Sequence, residues 1–117
     1  MRPVGIQHVS IGVHDVVAAI EFYSWLGMTV NPARPDFGFP GAWLQAGGQQ
    51  VHLIMTDKPT PGLENHFAVI VEDLEECLAE LALHGVEPFR LPAARGAGSQ
   101  AFINDPSGNV VELNQPD

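Results

Sequence analysis

Two copies of one pattern sit in this chain, and that repeat limits the fold more than any other feature. Sliding the sequence against itself by 58 residues lays His8 on His66, Val13 on Val71, Asp15 on Asp73 and Gly27 on Gly85. Each copy opens on alternating residues, His8-Val9-Ser10-Ile11-Gly12-Val13 and His66-Phe67-Ala68-Val69-Ile70-Val71. An aspartate follows, then helical apolar spacing, then a glycine. A second echo lays Trp43-Leu44 on Phe102-Ile103 and Gln50-Val51-His52-Leu53 on Val110-Val111-Glu112-Leu113, with the offset growing to 59 and then 60. Two long copies mean a duplicated module, since a solenoid needs more and shorter repeats.

Period-2 alternation puts His8, Ser10 and Gly12 on one face of the first strand, and Val9, Ile11 and Val13 on the other, which should meet a helix. Asp15 suits the N-cap of a helix from Val16 to about Leu26, stopped by Gly27. Met28 to Val30 should start the next strand. Asn31 to Gly41 carries three prolines and no periodicity, so it is expected to be a loop. Ala42–Ala46 and Gln50–Met55 read as a hairpin about Gly47-Gly48. Thr56 to Asn65 has no apolar repeat and reads as a linker.

The second copy follows the same plan. Asp73 with Glu76 resembles a capping box for a helix from Leu74 to about His84, stopped by Gly85. Val86–Leu91 is expected to be a short strand, and Pro92–Ser99 a loop. Ala101–Asn104 and Asn109–Asn114 form the last hairpin, closed by Asp105-Pro106-Ser107-Gly108. Strand, helix and three strands, twice over, is an α+β fold with a helix on one side of each mixed sheet. The length of 117 residues suits one domain: module 1 over 1–56, a linker over 57–65 and module 2 over 66–117.

Charge narrows the partners. Fourteen acidic residues against five basic ones give a net charge of −9, which disfavours nucleic acid and anionic membrane surfaces. No apolar run approaches the ~18 residues of a membrane span. The N-terminus lacks the apolar core of a signal peptide, and a single cysteine fits a reducing cytoplasm.

Four residues then stand out: His8, His52, His66 and Glu112. The repeat relates His8 to His66 and His52 to Glu112, and each points away from the helix side of its strand. One histidine on a strand is ordinarily a satisfied core or surface residue. Four donors at repeat-equivalent positions are expected to converge if the copies pack about a pseudo-twofold axis, and three imidazoles with a carboxylate suit a divalent transition metal. That set does not choose among Zn, Ni, Co, Mn and Fe.

The whole chain resembles the vicinal oxygen chelate superfamily of glyoxalase I, methylmalonyl-CoA epimerase, extradiol dioxygenases, and the fosfomycin- and bleomycin-resistance proteins. The matching stretches are His8-Val-Ser-Ile-Gly-Val with Asp15, Phe22-Tyr-Ser-Trp-Leu-Gly27, Val51-His52-Leu53, His66-Phe-Ala-Val69 and, most specifically, Asp105-Pro-Ser-Gly-Asn-Val-Val-Glu-Leu113. The resemblance implies paired βαβββ modules forming a cupped mixed sheet, helices on its outer face, around a metal held at His8, His52, His66 and Glu112. It also implies a lyase or isomerase that chelates vicinal substrate oxygens and stabilises an enediolate or oxyanion, with Glu112 and then His52 as the base. His52 departs from the family: glyoxalase I has glutamate there and the epimerase glutamine. His52 therefore stands either as a fourth ligand or as an acid or base beside the metal. Extradiol dioxygenase chemistry is the enzyme alternative, and a metal-free, bleomycin-resistance-like binding protein is the non-enzymatic one.

Ser10 shares the His8 face, and Trp43 and Phe102 occupy repeat-equivalent strand positions; these three are the candidate substrate contacts. Phe37 and Phe39 are further pocket candidates, although aromatics are more often core. Arg90 and Arg95 are expected in a solvated loop, and Cys77 as an inert, buried thiol. Open module edges suggest a homodimer, with sites complete in each chain or shared across the interface.

Overall fold

A computed structural model describes residues 1–92 and 94–117; Ala93, within the loop expected over Pro92–Ser99, lies outside the described residues. The chain divides into two compact units, Met1–Thr60 and Pro61–Asp117. The fold is α+β, with a four-stranded and a three-stranded sheet, both mixed, and two α-helices. Among the described residues no helix is long and apolar enough to cross a membrane.

The first unit runs β1 (His8–Val13), α1 (Val16–Ser24), β2 (Thr29–Val30), β3 (Gly41–Ala46) and β4 (Gln49–Met55). Its sheet has the order β1-β4-β3-β2, with β1 parallel to β4 and the other pairs antiparallel. Asp15 caps α1 by accepting from the Ala18 amide at 3.0 Å. Gly27, at φ +81°, takes the left-handed turn after the helix that a Cβ would resist. Alternation sorts the strands as expected: Ile11, Val13, Leu44, Val51 and Leu53 are buried with Ala19, Phe22 and Tyr23 of α1. Each such apolar side chain contributes about 1.5–3 kcal/mol by leaving water. The opposite face carries His8, Ser10 and His52.

The second unit runs through a single 3-10 turn (Leu63–Asn65), then β5 (Phe67–Ile70), α2 (Leu74–Ala82), β6 (Ser99–Asn104) and β7 (Val110–Gln115). Its sheet has the order β5-β7-β6, with β5 parallel to β7 and β6 antiparallel to it. Asp73 caps α2 through the Glu76 amide at 3.0 Å. Leu74, Leu78 and Leu81 form its buried stripe. The hairpin turn closes on Asp105, whose carboxylate accepts from the Ser107 amide at 2.8 Å, the Asn109 amide at 2.9 Å and Asn109 Nδ2 at 2.9 Å.

Two local expectations need correction. Val86–Leu91 is not a strand; only Phe89 bridges to Phe102, through hydrogen bonds of 2.8 and 2.9 Å. At the start of the stretch the Val86 amide is already used, donating to the Leu81 carbonyl at 3.2 Å at the end of α2. His66 does not lie inside a strand. It ends the 3-10 turn just before β5, and its position comes from that turn as much as from the sheet.

Candidate metal and substrate site

In the first unit the parallel pairing of β1 with β4 sets Ser10 opposite His52, and the hairpin sets His52 opposite Trp43. His8, two residues before Ser10, leans onto this row. The His8 and His52 rings stack with centroids 3.8 Å apart and planes 14° apart, and His52 stacks on Trp43 at 4.6 Å and 8°. Each imidazole is oriented by a glutamine. His8 Nδ1 donates to Gln7 Oε1 at 2.9 Å, and His52 Nε2 donates to Gln50 Oε1 at 2.8 Å. Those bonds leave His8 Nε2 and His52 Nδ1 as the ring nitrogens without a glutamine partner. The His52 pKa is pushed below its usual value, first by burial and then by the charges of His8 and Arg34, so its ring is held neutral.

In the second unit β7 places Glu112 between Ala68 of β5 and Phe102 of β6. The residue is only 7% exposed, and its carboxylate is well supplied with donors. Gln100 Nε2 donates to Oε2 at 3.1 Å and Asn114 Nδ2 to the same oxygen at 2.8 Å. The other oxygen, Oε1, faces His66 Nε2 at 3.1 Å. His66 Nδ1 meets the Leu63 carbonyl, which can only accept. Nδ1 therefore carries a proton, and Nε2 either carries a second one or points a lone pair at a carboxylate. Two acceptors that close are stable only with a cation between them, a proton or a metal ion.

The expected quartet is thus present as two pairs, His8 with His52 in one unit and His66 with Glu112 in the other. Among the described residues no group of three or more His, Cys, Asp or Glu side chains gathers in metal-binding array. The donor chemistry nevertheless fits a transition ion. Every imidazole is oriented through one nitrogen and presents the other, and Glu112 keeps one oxygen toward His66.

The proposed substrate contacts divide. Ser10 is exposed beside the stack. Trp43 both stacks on His52 and lines a cavity of about 300 Å³ in the first unit, together with His8, Arg34, Phe37, Phe39, His52, Leu53 and Ile54. Phe102 is 2% exposed, stacked on Phe89 at 5.4 Å and meeting the His66 ring edge-on at 5.5 Å. It braces His66 and has almost no surface to offer a ligand. Phe37 and Phe39, suspected of being core, are 50% and 44% exposed at the pocket. Arg90 pairs with Glu75 at 2.7 Å on the surface.

Sequence reasoning missed Arg34. It lies in the segment between β2 and β3, where no periodicity marks it. The one available signal was its setting, a cation three and five residues before two phenylalanines in an acidic chain.

Comparison with known proteins agrees with the architecture. The family model of the Glyoxalase/Bleomycin resistance protein/Dioxygenase superfamily matches residues 5–113. A glyoxalase domain-containing protein of Mycosarcoma maydis, RDO1, is 28% identical over 92% of this chain, which spans 66% of that protein's length. Among solved structures, a glyoxalase-family protein of Bacillus anthracis superposes with a TM-score of 0.87 at 26% identity, covering 100% of both chains. TnmS3, an antibiotic binding protein of a Streptomyces species, superposes at 0.76 with 25% identity, over 100% of this chain and 99% of its own.

Proposed function

This chain belongs to the Glyoxalase/Bleomycin resistance protein/Dioxygenase superfamily, and from that membership we propose that it is a small metal-dependent enzyme of lyase or isomerase type, acting on a substrate with two vicinal oxygens. His8 and His52 from one copy of the repeat, and His66 and Glu112 from the other, would hold one divalent transition ion. The observation that carries this reading is the His66–Glu112 contact, where a ring nitrogen whose partner nitrogen is already a donor faces a carboxylate oxygen at 3.1 Å. Bound there, the ion would supply Lewis acidity to a substrate oxygen.

The chain's own groups do the rest. Gln7, Gln50 and the Leu63 carbonyl fix which imidazole nitrogen is presented. Gln100 and Asn114 hold the Glu112 carboxylate by one oxygen, and Oε1 would be the first proton acceptor when it is not engaged as a ligand. His52, kept neutral by burial and by neighbouring positive charge, is the second. Ser10 and Trp43 lie beside His8 and His52 on one sheet face of the first unit to meet substrate, and in the second unit Phe102 meets the edge of His66. β1 and β5 each stand at an edge of their sheet, and we assign these edges to a homodimer in which donors of two chains are able to complete one another.

Metal-stripped protein loaded in turn with Zn, Ni, Co, Mn or Fe(II) and then desalted tests the proposal. About one ion per chain should be retained with at least one of these metals, and His66→Ala and Glu112→Gln should each lower retention about 10–100-fold. No retention with any of them would overturn it.

A second reading is favoured by one observation, the likeness to an antibiotic binding protein together with an exposed aromatic pocket. In that reading the chain sequesters a ligand without a metal. Tight binding of an aromatic antibiotic, unchanged by chelator, with no metal retained, would select it.

A further inference from the structure

In the first unit a guanidinium, that of Arg34, shares a pocket with three aromatic residues, Phe37, Phe39 and Trp43. Arg34 is half-buried and its guanidinium is seated at several points. Nη2 donates to the Phe39 carbonyl at 2.9 Å, and Cζ lies 5.2 Å from the Phe37 ring centroid and 5.4 Å from that of Phe39. Gly41 makes room for it, since a Cβ there would come within 2.9 Å of Nη2. No carboxylate forms an ion pair with Arg34 among the described residues, whereas Arg90 has Glu75. A guanidinium offers five N–H donors in a planar fork, and one hydrogen bond leaves most of them available. Aromatic rings stand beside it: Trp43 stacks on His52, and Phe37 lies 6.2 Å from Trp43 with its plane tilted by 45°.

We propose that this pocket binds a planar aromatic carboxylate, its ring against Trp43 and Phe37 and its carboxylate on Arg34. The cavity, about 300 Å³, is at the small end for ligand pockets and suits one or two fused rings. Charge supports an anionic ligand. In a chain of net charge −9 a guanidinium seated among aromatics, with no ion pair among the described residues, selects for a negative group against the overall field. Arg34 thereby becomes a specificity residue and Trp43 the ring platform. The inference rests on the metal-enzyme reading only in taking this ligand to be the substrate; the binding itself does not require the ion.

The test uses full-length protein stripped of metal, with 2-naphthoate as probe and the uncharged 2-naphthamide and the non-planar cyclohexanecarboxylate as comparators. Calorimetry should show 2-naphthoate binding at least about tenfold more tightly than either, the range expected for one charge-assisted contact or one stacked ring. Arg34→Met should bring 2-naphthoate down to the level of 2-naphthamide, and Arg34→Lys should restore part of the difference. The Trp43 indole N–H resonance should shift on titration, while that of Trp25, packed on Phe22 at 5.9 Å, stays in place. Equal affinity for 2-naphthoate and 2-naphthamide, an Arg34→Met protein that still separates them, or no Trp43 shift would each overturn the proposal. Because no metal is present, a failed metal-loading experiment leaves these outcomes unaffected, and the reverse also holds.

Discussion

His66 is oriented at both ring nitrogens, and that wiring is the smallest unit on which the proposed metal site depends. The Leu63 carbonyl takes the Nδ1 proton and Glu112 faces Nε2. His52 differs, because burial and the charges of His8 and Arg34 lower its pKa. The unfolded chain, with histidine near 6.5, binds more protons than the folded one below that value. Stability of the metal-free protein should therefore fall as pH drops from about 6.5 through the lowered folded value. Thermal melts across that window should show the loss, and His52→Gln should flatten it; an unchanged slope would contradict the assignment. Cys77 moves the other way: burial, then Glu80, Glu76 and Asp73, raise its pKa. Its alkylation by iodoacetamide at pH 8 should be several-fold slower than that of a free thiol, a clean measurement in a chain with one cysteine. At this scale the sequence was only partly legible. The repeat singled out His8, His52, His66 and Glu112, because duplication copies strand positions. It could not show that His8 and His52 stack, since that follows from β1 pairing with β4 across about forty intervening residues. Arg34 was invisible for a similar reason: its seat is made by Phe39 and by the absent side chain of Gly41, not by spacing.

The elements were more legible, because their signals are local. Asp15 and Asp73 both cap as their sequences suggest, and each →Ala change should cost about 1 kcal/mol in chemical denaturation. Asp105 is a stricter case. It is buried and feeds three donors of its own turn, so Asp105→Ala should cost more, about 2–4 kcal/mol, and fray the β6–β7 hairpin. Equal costs for Asp15→Ala and Asp105→Ala would show that the turn is held by other means. The misjudged element, Val86–Leu91, has β-like residues, but its first amide, Val86, is spent on the Leu81 carbonyl at the end of α2. Only Phe89 pairs, stacked on Phe102, which in turn meets the edge of His66. A broken strand thereby still braces one of the proposed ligands.

At the scale of the whole molecule, duplication yields two units of like construction, each with a helix on a mixed sheet and each carrying one donor pair. Neither pair alone fills a transition-metal coordination sphere, which needs four or more donors. A homodimer is the assembly we expect, and sedimentation equilibrium should return twice the 12.6 kDa chain mass. A monomer at every concentration would require each chain to complete its own centre. The most direct measurement is anomalous diffraction from cobalt-loaded crystals. The expected outcome is one peak per chain, about 2.0–2.2 Å from His66 Nε2 and Glu112 Oε1, with imidazoles of His8 and His52 completing the shell. A peak held by other residues, or none after loading, would contradict the joining of the two pairs around one ion.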